Sequence, residues 1–148
     1  MSLEELYREV ILDHYRNPRN RTPLADADAA ADGVNPLCGD EVHVELSFDG
    51  DRVTGVSVAG QGCSISQSSA SMMSEAIKGK SREEIQRLTE RFKAMMDIDS
   101  DGNGALDPDK PGSVLGDLEA LQGVRNYPVR IKCANLPWTT LHEALAAD

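Results

Sequence analysis

Three cysteines carry most of the chemistry this sequence can offer. They are Cys38 in Asn35-Pro36-Leu37-Cys38-Gly39-Asp40, Cys63 in Gly60-Gln61-Gly62-Cys63-Ser64 and Cys133 in Arg130-Ile131-Lys132-Cys133. They lie 25 and then 70 positions apart, and the chain has no others. An odd number cannot all pair internally, and no two form a CxxC clip. Each sits where a backbone tends to turn: Cys38 between a proline and Gly39-Asp40, Cys63 after a glycine-rich run, Cys133 a few residues past Pro128. With Asp40 as a fourth donor they would form a tetrahedral three-sulfur, one-oxygen site for a borderline-soft cation. The plainer reading is three unrelated buried thiols packing as small hydrophobes.

The elements that must position these thiols follow from periodicity. Ser2-Leu3-Glu4-Glu5 reads as a capping box. Behind it Leu3, Leu6, Tyr7, Val10, Ile11 and His14 mark one helical face, stopped at Asn17-Pro18. His14 shares that apolar stripe, so a packed, hydrogen-bonded core histidine is expected rather than a ligand. Residues 19–34 are rich in Asp and Ala without period and read as a surface connection. Glu41 to Phe48 alternates apolar and polar residues, a half-solvated strand with His43 on its wet face. Asp49-Gly50-Asp51 turns it into a returning strand, Val53 to Val58. Such a hairpin brings Cys63 back to the neighbourhood of Cys38, so two of the three thiols share one end of a sheet.

Ser64 to Lys78 reads as a helix ended by Gly79, and the positive end of its dipole favours a thiolate at Cys63. Ser81-Arg82-Glu83-Glu84 opens a second capped helix with Ile85, Leu88, Phe92 and Met95 on one face. Val114, Leu115, Leu118 and Leu121 form a shorter stripe ending at Gly123. A last amphipathic helix, Arg130 to Ala147, contains Pro137, which should interrupt or kink it. Asp99 to Lys110 imitates a calcium loop, with Asp99, Asp101 and Asn103 at oxygen-donor positions. Lys110 stands where the bidentate glutamate belongs, so Ca2+ binding is a weak possibility and a solvated acidic turn the expectation.

At 148 residues the chain suits one domain, 1–148, with an aliphatic core, since aromatics are only 4%. A net charge of -10 excludes a nucleic-acid footprint and disfavours anionic membranes. No run approaches the roughly 18 apolar residues of a membrane span. An acidic amphipathic start is no signal peptide, and reduced thiols then imply a cytoplasmic protein.

Read together, four segments resemble the NifU-N/IscU-like scaffold family of iron–sulfur cluster assembly. They are Ile11-Leu12-Asp13-His14-Tyr15 with Asn17-Pro18, Asn35 to Asp40, Gly60 to Gln67, and Arg130 to Ala134. The sequence is most similar to the SufU branch. Lys132 stands where IscU-type members carry histidine. Leu115-Gly116-Asp117, Gly123-Val124 and Tyr127-Pro128-Val129-Arg130 match the end of the SufU-type insertion, which would contain the acidic loop 99–110. The resemblance implies an α+β, SufE/NifU-like fold: a small antiparallel sheet of about three strands with helices packed on it. It implies zinc, or alternatively iron or an Fe–S cluster, held by Cys38, Asp40, Cys63 and Cys133. It also implies a sulfur carrier that takes persulfide on Cys38 from a pyridoxal-phosphate (PLP) cysteine desulfurase of the SufS type and relays it to the Suf cluster assembly complex. Arg130 would pair with Asp40 or contact the desulfurase. The competing readings are a scaffold on which a cluster is built and handed on, and a purely structural zinc domain.

Overall fold

The computed structural model describes residues 3–96 and 115–147. Ser2 of the first capping box, Val114 and the calcium-loop-like stretch 99–110 lie outside the described residues. Helix α1 (Leu3–Arg16) leads to a three-stranded antiparallel sheet of β1 (Ala29–Asn35), β2 (Asp40–Asp49) and β3 (Arg52–Gln61), in the order β1-β2-β3. Then come α2 (Ser64–Ile77), α3 (Arg82–Met95), a 3-10 segment (Gly116–Asn126) and α4 (Pro128–Ala147). This is the expected α+β arrangement.

The alternation in β2 sends Val42, Val44 and Leu46 into the core. Val53, Val56 and Val58 of β3 join them, with Met72, Met73 and Ile77 of α2 and Trp138 and Leu141 of α4. Helix α4 crosses β1 and β2, α2 crosses β3, and α1 lies on α2. Phe92 of α3 stacks on Trp138 with ring centroids 4.6 Å apart, which ties the two helices together. The second capping box forms as read: the Ser81 hydroxyl accepts from the Glu84 amide while the Glu84 carboxylate accepts from the Ser81 amide. On the α1 stripe, Tyr7, Val10 and Ile11 pack against the core and His14 is fully enclosed, whereas Leu6 is 43% exposed.

Three features correct the sequence reading. Residues 29–34, read as part of a surface connection, form with Asn35 the edge strand β1, with Ala29 opposite Leu46 and Asn35 opposite Asp40. Alanine, aspartate and glycine have poor strand propensity, and contact with β2 and α4 supplies what propensity does not. The 3-10 segment runs past Gly123 to Asn126, because Leu118, Leu121 and Val124 are all buried and hold it in place. Helix α4 is continuous through Pro137. Proline removes one ladder bond at a cost of about 3 kcal/mol, but Pro137 is itself buried beside Trp138 and Leu141, and that packing outweighs the loss. Helix α2 forms as read and buries most of its serines. Ser66, Ser68, Ser69, Ser71 and Ser74 are all buried. Their small hydroxyls bond to nearby carbonyls, as Ser69 does to Ala134 O at 2.7 Å and Ser74 to Ser71 O at 2.6 Å.

On the outer face of the sheet His43 bonds to Asp32 of β1 (2.7 Å) and Glu45 (3.3 Å). The Asp32 hydrogen bond is the main reason its pKa rises above the ordinary value. The Glu45 carboxyl is held below its ordinary range, first by the Leu24 amide and then by His43. A raised histidine pKa means that the charged ring stabilises the fold fully below about pH 6.5, and that this is lost as pH climbs through the raised value. The His43 side chain is 40% exposed, so screening limits the effect. His43→Gln should therefore lower urea-unfolding stability by at most about 1 kcal/mol near pH 5.5, with the gap closing by about pH 9. A gap that widens with pH would contradict the assignment.

Candidate metal centre

The site forms where both hairpins end. The β1–β2 turn is an Asn35-led loop: the Asn35 carbonyl accepts from the Cys38 amide at 3.2 Å and the Gly39 amide at 2.9 Å. Its side-chain oxygen accepts from the Leu37 amide at 3.3 Å, the Asx turn that asparagine favours. Gly39 has φ +71°, which lets the chain re-enter β2 at once with Asp40. Cys38 thus sits exposed at a turn tip, and Asp40, the first residue of β2, is fully buried.

Glu41 pairs with Gln61 across β2 and β3, so the hairpin returns the chain beside Asp40, as its length required. Asp40 Oδ1 accepts the Cys63 amide at 2.8 Å, and the Cys63 thiol lies 3.7 Å from Oδ2. Cys63 is also the N-cap of α2, its sulfur accepting the Ser66 amide at 3.5 Å. Gly62 makes this approach possible: at φ +149°, a Cβ there would lie 2.9 Å from Asp40 Cα, inside any tolerated contact.

Cys133 comes from the second turn of α4 and is wholly buried. Its sulfur is 3.5 Å from that of Cys38, with the Asn35 side-chain amide at 3.9 Å. Burial pushes the Cys133 thiol far above its ordinary pKa, and its hydrogen bonds to Asp40 and Cys38 and the nearby charge of Cys63 push the same way. A proton on this sulfur is thus favoured until a cation takes its place.

One donor atom each from Cys38, Asp40 and Cys133 falls within a mutual 4.8 Å. Cys63 stands just outside that group and joins it through Asp40. Two sulfurs on one tetrahedral zinc, each at about 2.3 Å, would be about 3.8 Å apart, close to the spacing seen between Cys38 and Cys133. Cys38, Asp40 and Cys133 could thus hold a cation between them, with the Cys63 thiol on the far side of the Asp40 carboxylate.

The other candidates lie elsewhere. His14 bridges α1 to the rest of the helical layer, Nδ1 to Ser71 Oγ at 2.8 Å and Nε2 to Asp117 Oδ2 at 2.9 Å. This is the packed histidine expected. Arg130 is exposed, and among the described residues no ion pair joins it to Asp40. It lines a cleft beside the site instead. Asn35 and Ser66, which shape the turn and cap under the sulfurs, escaped sequence reading. The Asn-Pro pair before Cys38 was the available signal for the first.

A buried carboxylate among three thiols, gathered at the end of a small antiparallel sheet backed by helices, defines an α+β domain with a thiol-rich cluster of potential metal donors. The NifU-like N-terminal domain model matches residues 6–134, and the chain belongs to that family. It is 44% identical over 147 residues to a zinc-dependent sulfurtransferase SufU of Bacillus subtilis, covering 99% of this chain and 94% of that one. It is 38% identical over 143 residues to an iron–sulfur cluster assembly scaffold protein IscU of Streptococcus pyogenes, covering 97% and 84%. A crystal structure from Fervidobacterium islandicum AW-1, described as an iron–sulfur cluster assembly scaffold protein for the SUF system, superposes with a TM-score of 0.79. It is 34% identical and covers 97% of this chain and 99% of that chain.

Two predictions follow from the geometry. Gly62→Ala should displace Asp40 from the Cys63 amide and cut zinc affinity by about 10-fold or more, a scale set by losing an outer-shell orienting contact; unchanged affinity in a competition titration would contradict it. After metal removal by chelation, diamide should link Cys38 to Cys133 in preference to either with Cys63, the two thiols giving up two electrons to the diazene. Peptide mapping reads the outcome, and a Cys38–Cys63 bond as the main product would contradict the arrangement.

Proposed function

We propose that this domain, taken as the whole of residues 1–148, is an iron–sulfur cluster assembly protein that works as a zinc-dependent sulfur carrier. It accepts sulfur from a PLP-dependent cysteine desulfurase of the SufS type and relays it to a Suf cluster assembly complex in the cytoplasm. One observation supports this most: the three thiols are unequal. Cys38 is exposed at a glycine-flanked turn tip, Cys63 is half-buried at a helix cap, and Cys133 is buried. The first is the most open to a partner's sulfur.

Zinc, when bound, supplies charge that keeps the sulfurs deprotonated while damping their reactivity. The rest falls to the chain. Asp40, fixed by the Cys63 amide, holds its place without Cys38, and Asn35 keeps the turn in shape. The Cys38 thiolate attacks the terminal sulfur of the donor persulfide. A new S–S bond forms, the donor S–S bond breaks, and the donor cysteine leaves as thiolate. The exposed apolar side chains of Leu37, Val34 and Val129 flank the turn and the start of α4, and suit a protein donor that excludes water around the transfer.

A second reading, a scaffold for a nascent cluster, draws support from the similarity to the Streptococcus pyogenes protein and from the donor set, since thiolates also hold clusters. Lys132 in place of a histidine weighs towards the carrier. Desulfurase turnover decides the matter. The wild type should stimulate it strongly and be colourless with one zinc per chain, while Cys38→Ala, Cys63→Ala and Cys133→Ala should each lose stimulation. Full stimulation by Cys38→Ala would overturn the assignment of the acceptor, and a brown protein carrying iron and sulfide would favour the scaffold.

A further inference from the structure

Beside the thiol site lies a cleft of about 690 Å³ between α1, the start of α2 and the junction of the 3-10 segment with α4. Its floor is apolar, with Ile11 and Ile65, and Tyr7 and Tyr127 stand along it. Two arginines, Arg8 and Arg130, complete the lining, both exposed. Among the described residues neither forms an ion pair. Its lining adjoins the thiols along the chain: Ser64 and Ile65 follow Cys63 directly, and Arg130 precedes Cys133 by three positions.

We infer that this cleft receives an acidic, apolar segment of the sulfur-donating protein, its carboxylates meeting Arg8 and Arg130 and its apolar side chains lying on Ile11 and Ile65. The inference rests on the carrier reading above and adds the surface that holds the donor in register with Cys38. The chain carries a net charge of -10, so its overall field repels acidic partners. Two unpaired guanidinium groups over an apolar floor are a local exception to that field. Arginine and tyrosine around a desolvated pocket are the residue types that dominate binding energy at protein interfaces. The volume suits a few side chains, and guanidinium forks match carboxylates in a bidentate way. A free anion would satisfy the arginines and leave the apolar floor in water, which is why a peptide segment fits better.

The test is titration of the cognate desulfurase with metal-loaded carrier by calorimetry, with turnover followed in parallel. Arg8→Glu, on the exposed face of α1, should weaken binding by roughly 10-fold or more, the scale of a lost interfacial charge contact. It should raise the carrier concentration needed for half-maximal stimulation while leaving maximal stimulation intact. Arg8→Lys should recover part of the affinity, and the wild-type affinity should fall with added salt more steeply than that of Arg8→Glu. Zinc content and melting temperature serve as controls on folding; if Arg8→Glu disturbs either, Arg8→Gln is read in its place. If Arg8→Glu or its replacement binds as tightly as wild type with the same salt dependence, the cleft is not the docking surface. If the wild type fails to stimulate the desulfurase at all, it is the carrier reading that fails.

Discussion

The carboxylate of Asp40 is the contact on which the site depends. It is fully buried at the first residue of β2, and one oxygen accepts the amide of Cys63 where β3 gives way to α2. An ionised carboxylate removed from water is costly unless it is bonded or faces a cation. Here one oxygen is satisfied by backbone and the other faces sulfur, so the arrangement is half-completed by the chain and suited to completion by a metal. The same bond fixes where two hairpin ends sit relative to each other. Cys38 hangs two residues before it and Cys63 supplies its amide. Cys133 reaches the cluster only because α4 packs across β1 and β2.

The helical layer makes that packing close. Five buried serines in α2 are small enough for neighbouring helices to approach, and their hydroxyls find partners locally or across the interface, as Ser69 does with Ala134 one residue after Cys133. Ser71 works twice, bonding His14 of α1 and accepting the Arg19 amide. A layer built this way places α4 by hydrogen bonds as well as by shape. That matters for the buried Cys133 thiol, whose sulfur lies 3.5 Å from that of Cys38 on another element.

What was legible in the sequence was whatever rested on strong local pattern. Alternation in β2, the Gly50 turn and the spacing from Asp40 to Cys63 gave the shared sheet end, and the Ser81 capping box gave the start of α3. What was illegible depended on tertiary contacts. Strand β1 is alanine, aspartate and glycine, and only its neighbours make it a strand. The serines of α2 look like solvent-facing residues until the surrounding helices are in place. Pro137 reads as a breaker, yet the burial of its own turn keeps α4 whole. The thiol cluster was half legible: the hairpin argument joined Cys38 to Cys63, but nothing local placed Cys133, 95 positions from Cys38, and only resemblance to a known family did so.

That separation ties the thiol cluster to the fold as a whole. Donors drawn from a turn, a cap and a distant helix have no common address in the unfolded chain, so an ion bound by them together would favour the folded form over the unfolded one. The cluster exists only while β1, β2 and α4 stay packed, and any opening of that seam would scatter it.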